Sequence, residues 1–139
     1  MRSAVTVVLF GLFVAAIVRA EPPIDVKDHR AEIREALLKY TPIGSTPQDV
    51  LKFISERLLH QDESLPSVEN HGVTGPSAKR SPKHGVKSIR LYLGHYLDHP
   101  ETFFLSAPVL MQKEVTAQWA FDNRIALIEI FVDKEAGVY

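Results

Sequence analysis

Two histidines with a carboxylate between them lie in the segment GHYLDHPE, residues 94–101. His95 and His99 are four positions apart, and Asp98 directly precedes the second histidine. On a helix this spacing would place both imidazoles on one side, where they could bind one metal ion. Here the spacing runs from the end of a predicted strand into an Asp-His-Pro turn, and zinc needs three or four such ligands. A small ligand- or metal-binding module that uses His95, Asp98 and His99 is therefore the alternative functional hypothesis.

Groups that could act as a catalytic nucleophile are few. The chain has no cysteine, and no serine lies in a G-x-S-x-G turn of the kind that exposes a nucleophile. His99 and Asp98 are neighbours in the chain, and adjacent residues rarely orient each other as a general-base pair. We therefore predict that the protein is not an enzyme and needs no cofactor.

The stretch TPIGSTPQDVLKFI, residues 41–54, resembles either a phosphate-binding loop or the start of a helix. A phosphate-binding loop needs more glycine than Gly44 alone and a lysine directly before its Ser or Thr. Thr46 is instead a good N-cap, Pro47 suits the first helical position, and Asp49 completes a variant capping box. This stretch therefore predicts the start of a helix.

Residues 1–20 have the pattern of a secretory signal peptide, with Arg2 followed by an uncharged apolar run and small residues before Glu21. The apolar run, residues 4–18, is shorter than the roughly 20 residues that cross a bilayer as a helix. We predict cleavage near Ala20 and a periplasmic or secreted protein. A membrane contact is expected only if this segment stays uncleaved as an anchor.

Residues 21–139 are long enough for one domain with its own apolar core. Loss of residues 1–20 removes two of the 16 Lys and Arg and none of the 17 Asp and Glu, which leaves a formal charge of about −3. This charge is small and mixed, so we predict no nucleic-acid partner. Without cysteine, the fold must depend on its core and not on disulfides.

Hydrophobic periodicity predicts an α+β fold, with two N-terminal helices packed on a three- to four-stranded antiparallel sheet. Apolar residues recur at helical spacing before residue 60, and they alternate with a period of two from residue 88 onward. Asp122 and Asn123 lie between two alternating runs and predict a hairpin, because Asn tolerates a positive φ. We expect Trp119 to lie in the core.

Residues 61–86 separate the predicted helices from the predicted sheet. They are rich in Pro, Gly, Ser and Asn, and basic residues cluster toward their end. This composition predicts a long, flexible, solvated loop. A partner-binding arm is the other interpretation of the same segment.

The sheet face away from the helices is unusually rich in residue types that dominate binding hot spots. Strict alternation places the following residues on it: Arg90, Tyr92, Tyr96, Gln118 and Phe131. We predict that they bind a protein partner. The alternative is that the loop at 61–86 folds over this face and covers it.

Short motifs of the chain resemble small exported bacterial domains. Gly44, Thr46 and Val50 match a G-x-[ST]-x-x-x-V helix start, and residues 115–135 resemble a terminal hairpin in which Phe-Asp leads the turn. The resemblance covers residues 41–60 and 88–134. It is to the outer-membrane-assembly lipoproteins of the SmpA/OmlA type, to β-lactamase-inhibitor-protein-like domains, and to uncharacterised bacterial secreted proteins with YLGHY and QWAFD segments.

This resemblance implies helices on an antiparallel sheet that works by binding other proteins. The chain departs from the lipoproteins because it lacks a lipid-bearing cysteine and carries the basic loop. We therefore predict an exported, non-enzymatic interaction domain of the bacterial cell envelope with an unknown protein partner.

Overall fold

A computed structural model describes residues 24–58, 64–98 and 111–137 of the chain. The predicted signal peptide, its cleavage site and His99 lie outside the described residues. The elements in chain order are α1 (Arg30–Tyr40), α2 (Pro47–Phe53), a π-helical turn (Ile54–Leu58), β1 (Ser67–Glu69), a 3-10 helix (Ala78–Arg80), β2 (Lys87–Asp98), β3 (Met111–Phe121) and β4 (Leu127–Gly137). None of the described helices is long and apolar enough to cross a membrane.

The four strands form one antiparallel sheet in the order β1-β2-β3-β4. The central register aligns Ile89 with Trp119 and Trp119 with Ile130. An α+β fold with a four-stranded antiparallel sheet and two helices confirms the coarse prediction.

The start of α2 has the predicted capping box. The Asp49 N–H donates to Thr46 Oγ1 at 3.2 Å, and the Thr46 N–H donates to Asp49 Oδ2 at 3.1 Å. Pro47 occupies the first helical turn, where its missing N–H costs nothing. The backbone N–H groups of Thr46 and Asp49 are therefore already satisfied by the segment itself.

One face of the sheet packs against the helices around a buried core. Trp119 is fully buried at its centre, as predicted. The other buried members of this core are Ile33, Leu37, Val50, Phe53, Ile54, Ile89, Leu91, Val115, Ala117, Phe121, Leu127, Ile130 and Val132. We call the opposite side of the sheet the outer face.

The β3–β4 hairpin forms where Asp122-Asn123 predicted it. Asp122 Oδ1 accepts hydrogen bonds from the N–H groups of Arg124 at 2.9 Å and Ala126 at 3.0 Å. The positive φ of this turn, 62°, belongs to Ile125 and not to Asn123. The prediction that Asn123 supplies the positive φ of the hairpin is therefore wrong. Residues 122–126 form a five-residue connection held by Asp122, and not a tight two-residue turn.

A bulge in β2 reverses the alternation of its side chains. Tyr92 pairs with Thr116, and Gly94 pairs with Val115, the neighbour of Thr116 on β3. Leu93 therefore has no partner of its own on β3 and is an extra residue. An inserted residue moves every later side chain to the other face. The prediction that Tyr96 shares the outer face with Tyr92 is wrong for this reason.

Candidate interaction surface: the outer face and the loop across it

Residues 71–86 cross the outer face as one compact loop, which we call the crossing loop. Its two ends are joined by a hydrogen bond from Val73 N to His84 O at 2.8 Å. Ser88 Oγ donates to His71 O at 2.9 Å, and Val86 N donates to Phe121 O at 2.8 Å. Loops with joined ends and buried side chains of their own are frequently functional. The predicted loop at 61–86 also contains β1 and the 3-10 helix.

The crossing loop covers the β3–β4 half of the outer face. Val73 and Ala78 of the loop pack with Ala120 and Phe131 of the sheet in a second buried cluster. Gln118 Nε2 donates to the carbonyl of Thr74 at 2.7 Å. Two residues predicted to bind a partner are thus buried, because Gln118 is 4% exposed and Phe131 is 7% exposed.

A buried carboxylate anchors the middle of the crossing loop. Asp133 of β4 is only 4% exposed. It accepts hydrogen bonds from Ser77 N at 3.0 Å and from Ser77 Oγ at 2.8 Å. A buried polar group needs such partners, because losing them costs its full desolvation penalty. The loop is therefore held by polar as well as apolar contacts.

Side chains on the β2 side of the outer face remain accessible. Arg90 is exposed and Tyr92 is half-buried. Tyr92 Oη lies 3.0 Å from His95 Nδ1, and Leu97 is 55% exposed. We call Arg90, Tyr92, His95 and Leu97 the open strip. It combines a cation, an aromatic ring and an aliphatic group along one strand.

Tyr96 lies on the helix side of β2, away from the open strip. Its ring packs partly against the main core. Lys134 Nζ lies 4.9 Å from the centre of that ring and 3.4 Å from Tyr96 Oη. Of the five predicted partner-binding residues, only Arg90 and Tyr92 share an accessible surface.

The predicted metal ligands do not converge in the described part of the chain. After the bulge, His95 pairs with Glu114 and points to the outer face, whereas Asp98 pairs with Met111 and points to the helix side. Among the described residues, no group of three or more His, Asp or Glu is placed to hold a metal ion.

Positive charge is concentrated in and beside the crossing loop. Residues 70–97 contain five Lys and Arg and no Asp or Glu. All five are exposed: Lys79, Arg80, Lys83, Lys87 and Arg90. Within the described residues the ion pairs are Arg34–Glu129 and His71–Glu69, so none of these five cations is paired there. The sequence already indicated a basic cluster, but not that a loop packed on the sheet presents part of it.

A shallow cavity of about 300 Å³ lies along the free edge of β4, between α1 and the crossing loop. Its lining includes Arg34 and Glu129, whose side chains form an ion pair with Arg34 Nε 2.9 Å from Glu129 Oε1. The same Oε1 accepts a hydrogen bond from Ile130 N at 3.1 Å. These groups satisfy one another beside β4, which is an edge strand of the sheet in the described part of the chain, and side chains placed there hinder pairing with another chain. Periodicity alone gave no sign of this arrangement.

Comparisons with protein-family models, with curated proteins and with solved structures find no match to this chain.

Proposed function

We propose that the protein is an exported, non-enzymatic interaction domain of the bacterial cell envelope that binds a protein partner through the open strip. The observation that carries this proposal is that Arg90 and Tyr92 lie two positions apart on the accessible side of one strand. Arg and Tyr are enriched among the residues that contribute most to protein–protein binding.

Rigidity of the surroundings supports the proposal. The crossing loop covers the neighbouring half of the same face through Gln118 and Asp133. Tyr92 is further oriented by its contact with His95. A surface that is ordered before binding loses less conformational entropy when a partner arrives.

The partner is expected to carry acidic groups opposite Arg90. This cation has no ion-pair partner among the described residues. Complementary charge raises association rates and rejects wrong partners. An acidic, partly aromatic protein surface would therefore fit the open strip.

The envelope location and the family resemblance enter as parts of this proposal. Export rests on the signal-like pattern of residues 1–20. The proposed scaffold consists of two N-terminal helices, a long connecting segment and a sheet. It resembles SmpA/OmlA-type lipoproteins and β-lactamase-inhibitor-protein-like domains, and this resemblance also implies protein binding.

Cross-linking capture from envelope extract tests the proposal. Wild-type protein should enrich a defined partner, and Arg90→Glu and Tyr92→Ala should each lower its recovery at least about ten-fold, the loss expected of hot-spot residues. Lys52→Glu, which reverses an exposed cation on α2, is the matched control and should capture like the wild type.

Thermal unfolding of each variant must accompany the capture, because a misfolded variant would also fail to bind. Equal recovery by wild type and by both folded open-strip variants would show that this surface does not bind the partner.

A further inference from the structure

The outer edge of β4 carries backbone groups that are directed away from the rest of the sheet. Ile130 N donates to Glu129 Oε1 at 3.1 Å, so this N–H does not point toward β3. In an antiparallel pair, residues bonded to the neighbouring strand alternate with residues whose N–H and C=O point the other way. The C=O of Ile130 and the N–H and C=O of Val132 therefore lie on the same open edge. None of these three groups is hydrogen-bonded to another described segment.

The shallow cavity of about 300 Å³ runs along this edge as a groove, which we call the β4 groove. One of its walls is the start of α1, with Arg30 and Arg34. The other wall is the crossing loop, with Ser77 and Ser81, and residues 129–132 of β4 lie between the two walls. An extended peptide that adds a strand to a sheet needs both a free edge and flanking side chains of this kind.

Both walls of the β4 groove carry cations. Arg30 is exposed, and the side chain of Arg34 is 41% exposed although it pairs with Glu129. Lys79 and Arg80 belong to the loop wall, because their 3-10 helix lies between the two serines that line the cavity, and both are exposed. Arg30, Lys79 and Arg80 have no ion-pair partner among the described residues.

The carboxylates beside the β4 groove do not cancel these cations. Asp133 is 4% exposed, and both of its oxygens accept hydrogen bonds from Ser77. The Glu129 side chain is 17% exposed and pairs with Arg34. Even when both carboxylates are counted, the four cations of the two walls outnumber them. The other carboxylates of α1, of the residues before it and of β4 are exposed and do not line the cavity: Asp25, Asp28, Glu32, Glu35 and Glu135.

Glu129 occupies the position that an acceptor of a further strand would take. Its Oε1 accepts from Ile130 N at 3.1 Å and from Arg34 Nε at 2.9 Å. A charged acceptor strengthens both hydrogen bonds, so this edge is adapted to a carboxylate. A neutral strand that displaced Glu129 would leave Arg34 without an anion, whereas an acidic strand supplies a replacement.

We propose that the β4 groove binds an extended acidic segment of another protein, which joins the sheet as a strand beside β4. The backbone of this segment pairs with Ile130 and Val132. Successive side chains of a strand point to opposite faces, so its carboxylates meet cations on the α1 wall and on the loop wall. The site is separate from the open strip, because β3 and β4 lie in order beyond β2. It does not depend on the partner proposed there.

A second copy of this chain fits the β4 groove poorly. Two β4 edges that paired about a two-fold axis would place the same surface of each copy against the other. The walls of both copies carry Arg30 and Arg80, so like charges would approach each other, which destabilises a strand pair. Charge therefore favours an acidic partner over self-association.

Fluorescence anisotropy of the full chain with a labelled peptide of repeated Glu-Glu-Val-Thr tests the proposal. We expect saturable binding that weakens with added salt, because partly exposed charges are screened. The same peptide with alternate amide nitrogens methylated keeps its charge but loses donors to β4, and it should bind at least about ten-fold more weakly. Equal binding of the two peptides would overturn strand addition. Equally tight binding of a single-stranded oligonucleotide of the same charge would assign a general polyanion surface instead.

Arg30→Gln and Arg80→Gln test the two walls. Each should weaken peptide binding about three-fold, the effect of losing one partly exposed charge pair. Lys39→Gln is the matched control, because Lys39 is an exposed cation of α1 that does not line the cavity. Equal weakening by all three variants would mean that only the overall charge matters and would contradict a site in the groove.

Glu129→Gln tests the competing carboxylate. It keeps an oxygen that can accept from Ile130 N–H and removes the charge that pairs with Arg34, so it should strengthen peptide binding about three-fold. Glu35→Gln, an exposed position of α1 outside the cavity lining, makes the same charge change and should bind like the wild type. Unchanged or weaker binding by Glu129→Gln, at an unchanged melting temperature, would contradict the proposal.

Variants of the open strip separate this proposal from the proposed function. Arg90→Glu and Tyr92→Ala should leave peptide binding to the β4 groove within about two-fold of the wild type, because long-range effects of exposed charges are screened. Loss of peptide binding in these variants, with normal melting temperatures, would place the peptide on the open strip and overturn the β4 groove as its site.

Discussion

The indole N–H of Trp119 donates a hydrogen bond to Thr41 Oγ1 at 3.0 Å. Thr41 Oγ1 in turn donates to the carbonyl of Leu37 at 2.8 Å, close to the end of α1. Both Trp119 and Thr41 are fully buried. This chain of two hydrogen bonds therefore ties the end of the first helix to the centre of the sheet.

Thr41→Val should destabilise the protein by about 1–3 kcal/mol, because it keeps the shape of the side chain but leaves a buried indole N–H without an acceptor. Urea unfolding followed by tryptophan fluorescence measures this directly, since Trp119 is the single tryptophan. Thr41→Ser keeps the hydroxyl and should retain most of the stability. Equal losses for Val and Ser would mean that packing, and not the hydrogen bond, is responsible.

Ser77→Ala should loosen the crossing loop. It removes the hydroxyl that donates to the buried Asp133 and leaves the backbone N–H bond in place. Hydrogen bonds to charged groups contribute about 1.5–3 kcal/mol, so we expect a loss near the lower end of this range. Limited proteolysis within residues 71–86 and urea unfolding report it. Ser81→Ala is the control, because Ser81 lies in the same loop but its hydroxyl accepts only from the exposed Lys83 N–H. It should change the proteolysis rate and the free energy of unfolding much less than Ser77→Ala does.

Two glycines with positive φ allow a paired test of close packing. Gly44 has a φ of 95° and open space around it, so Gly44→Ala should cost only the backbone strain, about 1–2 kcal/mol. Gly85 has a φ of 72°, and an added Cβ would lie 2.9 Å from Phe121 N and closer still to Phe121 O. Gly85→Ala should therefore cost about 1–3 kcal/mol more than Gly44→Ala, through overpacking. Similar melting temperatures for the two variants would contradict the close contact between loop and sheet.

The capping carboxylate of α2 should make stability depend on pH in the acid range. The N–H of Thr46, followed by its hydroxyl contact, lowers the pKa of Asp49 below its ordinary value of 3.8. A carboxyl whose pKa is depressed on folding stabilises the protein above the ordinary pKa and loses that effect as the pH falls through the folded pKa. Asp49→Asn should therefore lower the melting temperature at neutral pH.

The difference between Asp49→Asn and wild type should shrink steadily as the pH falls below 3.8. Paired thermal scans at neutral and acid pH, with Glu35→Gln as an exposed carboxyl control on α1, measure it. A difference that stays constant with pH would show that the capping carboxylate does not act through its charge.

Local chemistry explains which parts of the fold could be predicted from the sequence. Thr46, Pro47 and Asp49 specify a helix start within four residues, and every partner they need is in the same segment. The strands were recognisable because one face of the sheet is buried, so apolar side chains must alternate. Trp119 could be placed in the core for the same reason.

Non-local contacts explain what could not be predicted. The bulge at Leu93 changes the face of Tyr96, and the signal that could have marked it is Gly94, a glycine inside the strand with a φ of 139°. Gln118 and Phe131 resemble partner-binding residues in isolation, and only contacts with a loop more than 40 positions earlier bury them. Their burial depends on which segment crosses the sheet, and alternation along one strand carries no information about that.

The bond between Thr41 and Trp119 also has a consequence for the time at which the chain can fold. It joins residues 78 positions apart, and the pair of Arg34 and Glu129 joins residues 95 apart. A ribosome makes the helices first, but much of the sheet surface that buries their apolar faces is on the last two strands. We therefore expect a nascent chain that stops before β4 to remain unfolded. If the protein is exported as proposed, this delay would leave it threadable through a translocation channel until synthesis is complete.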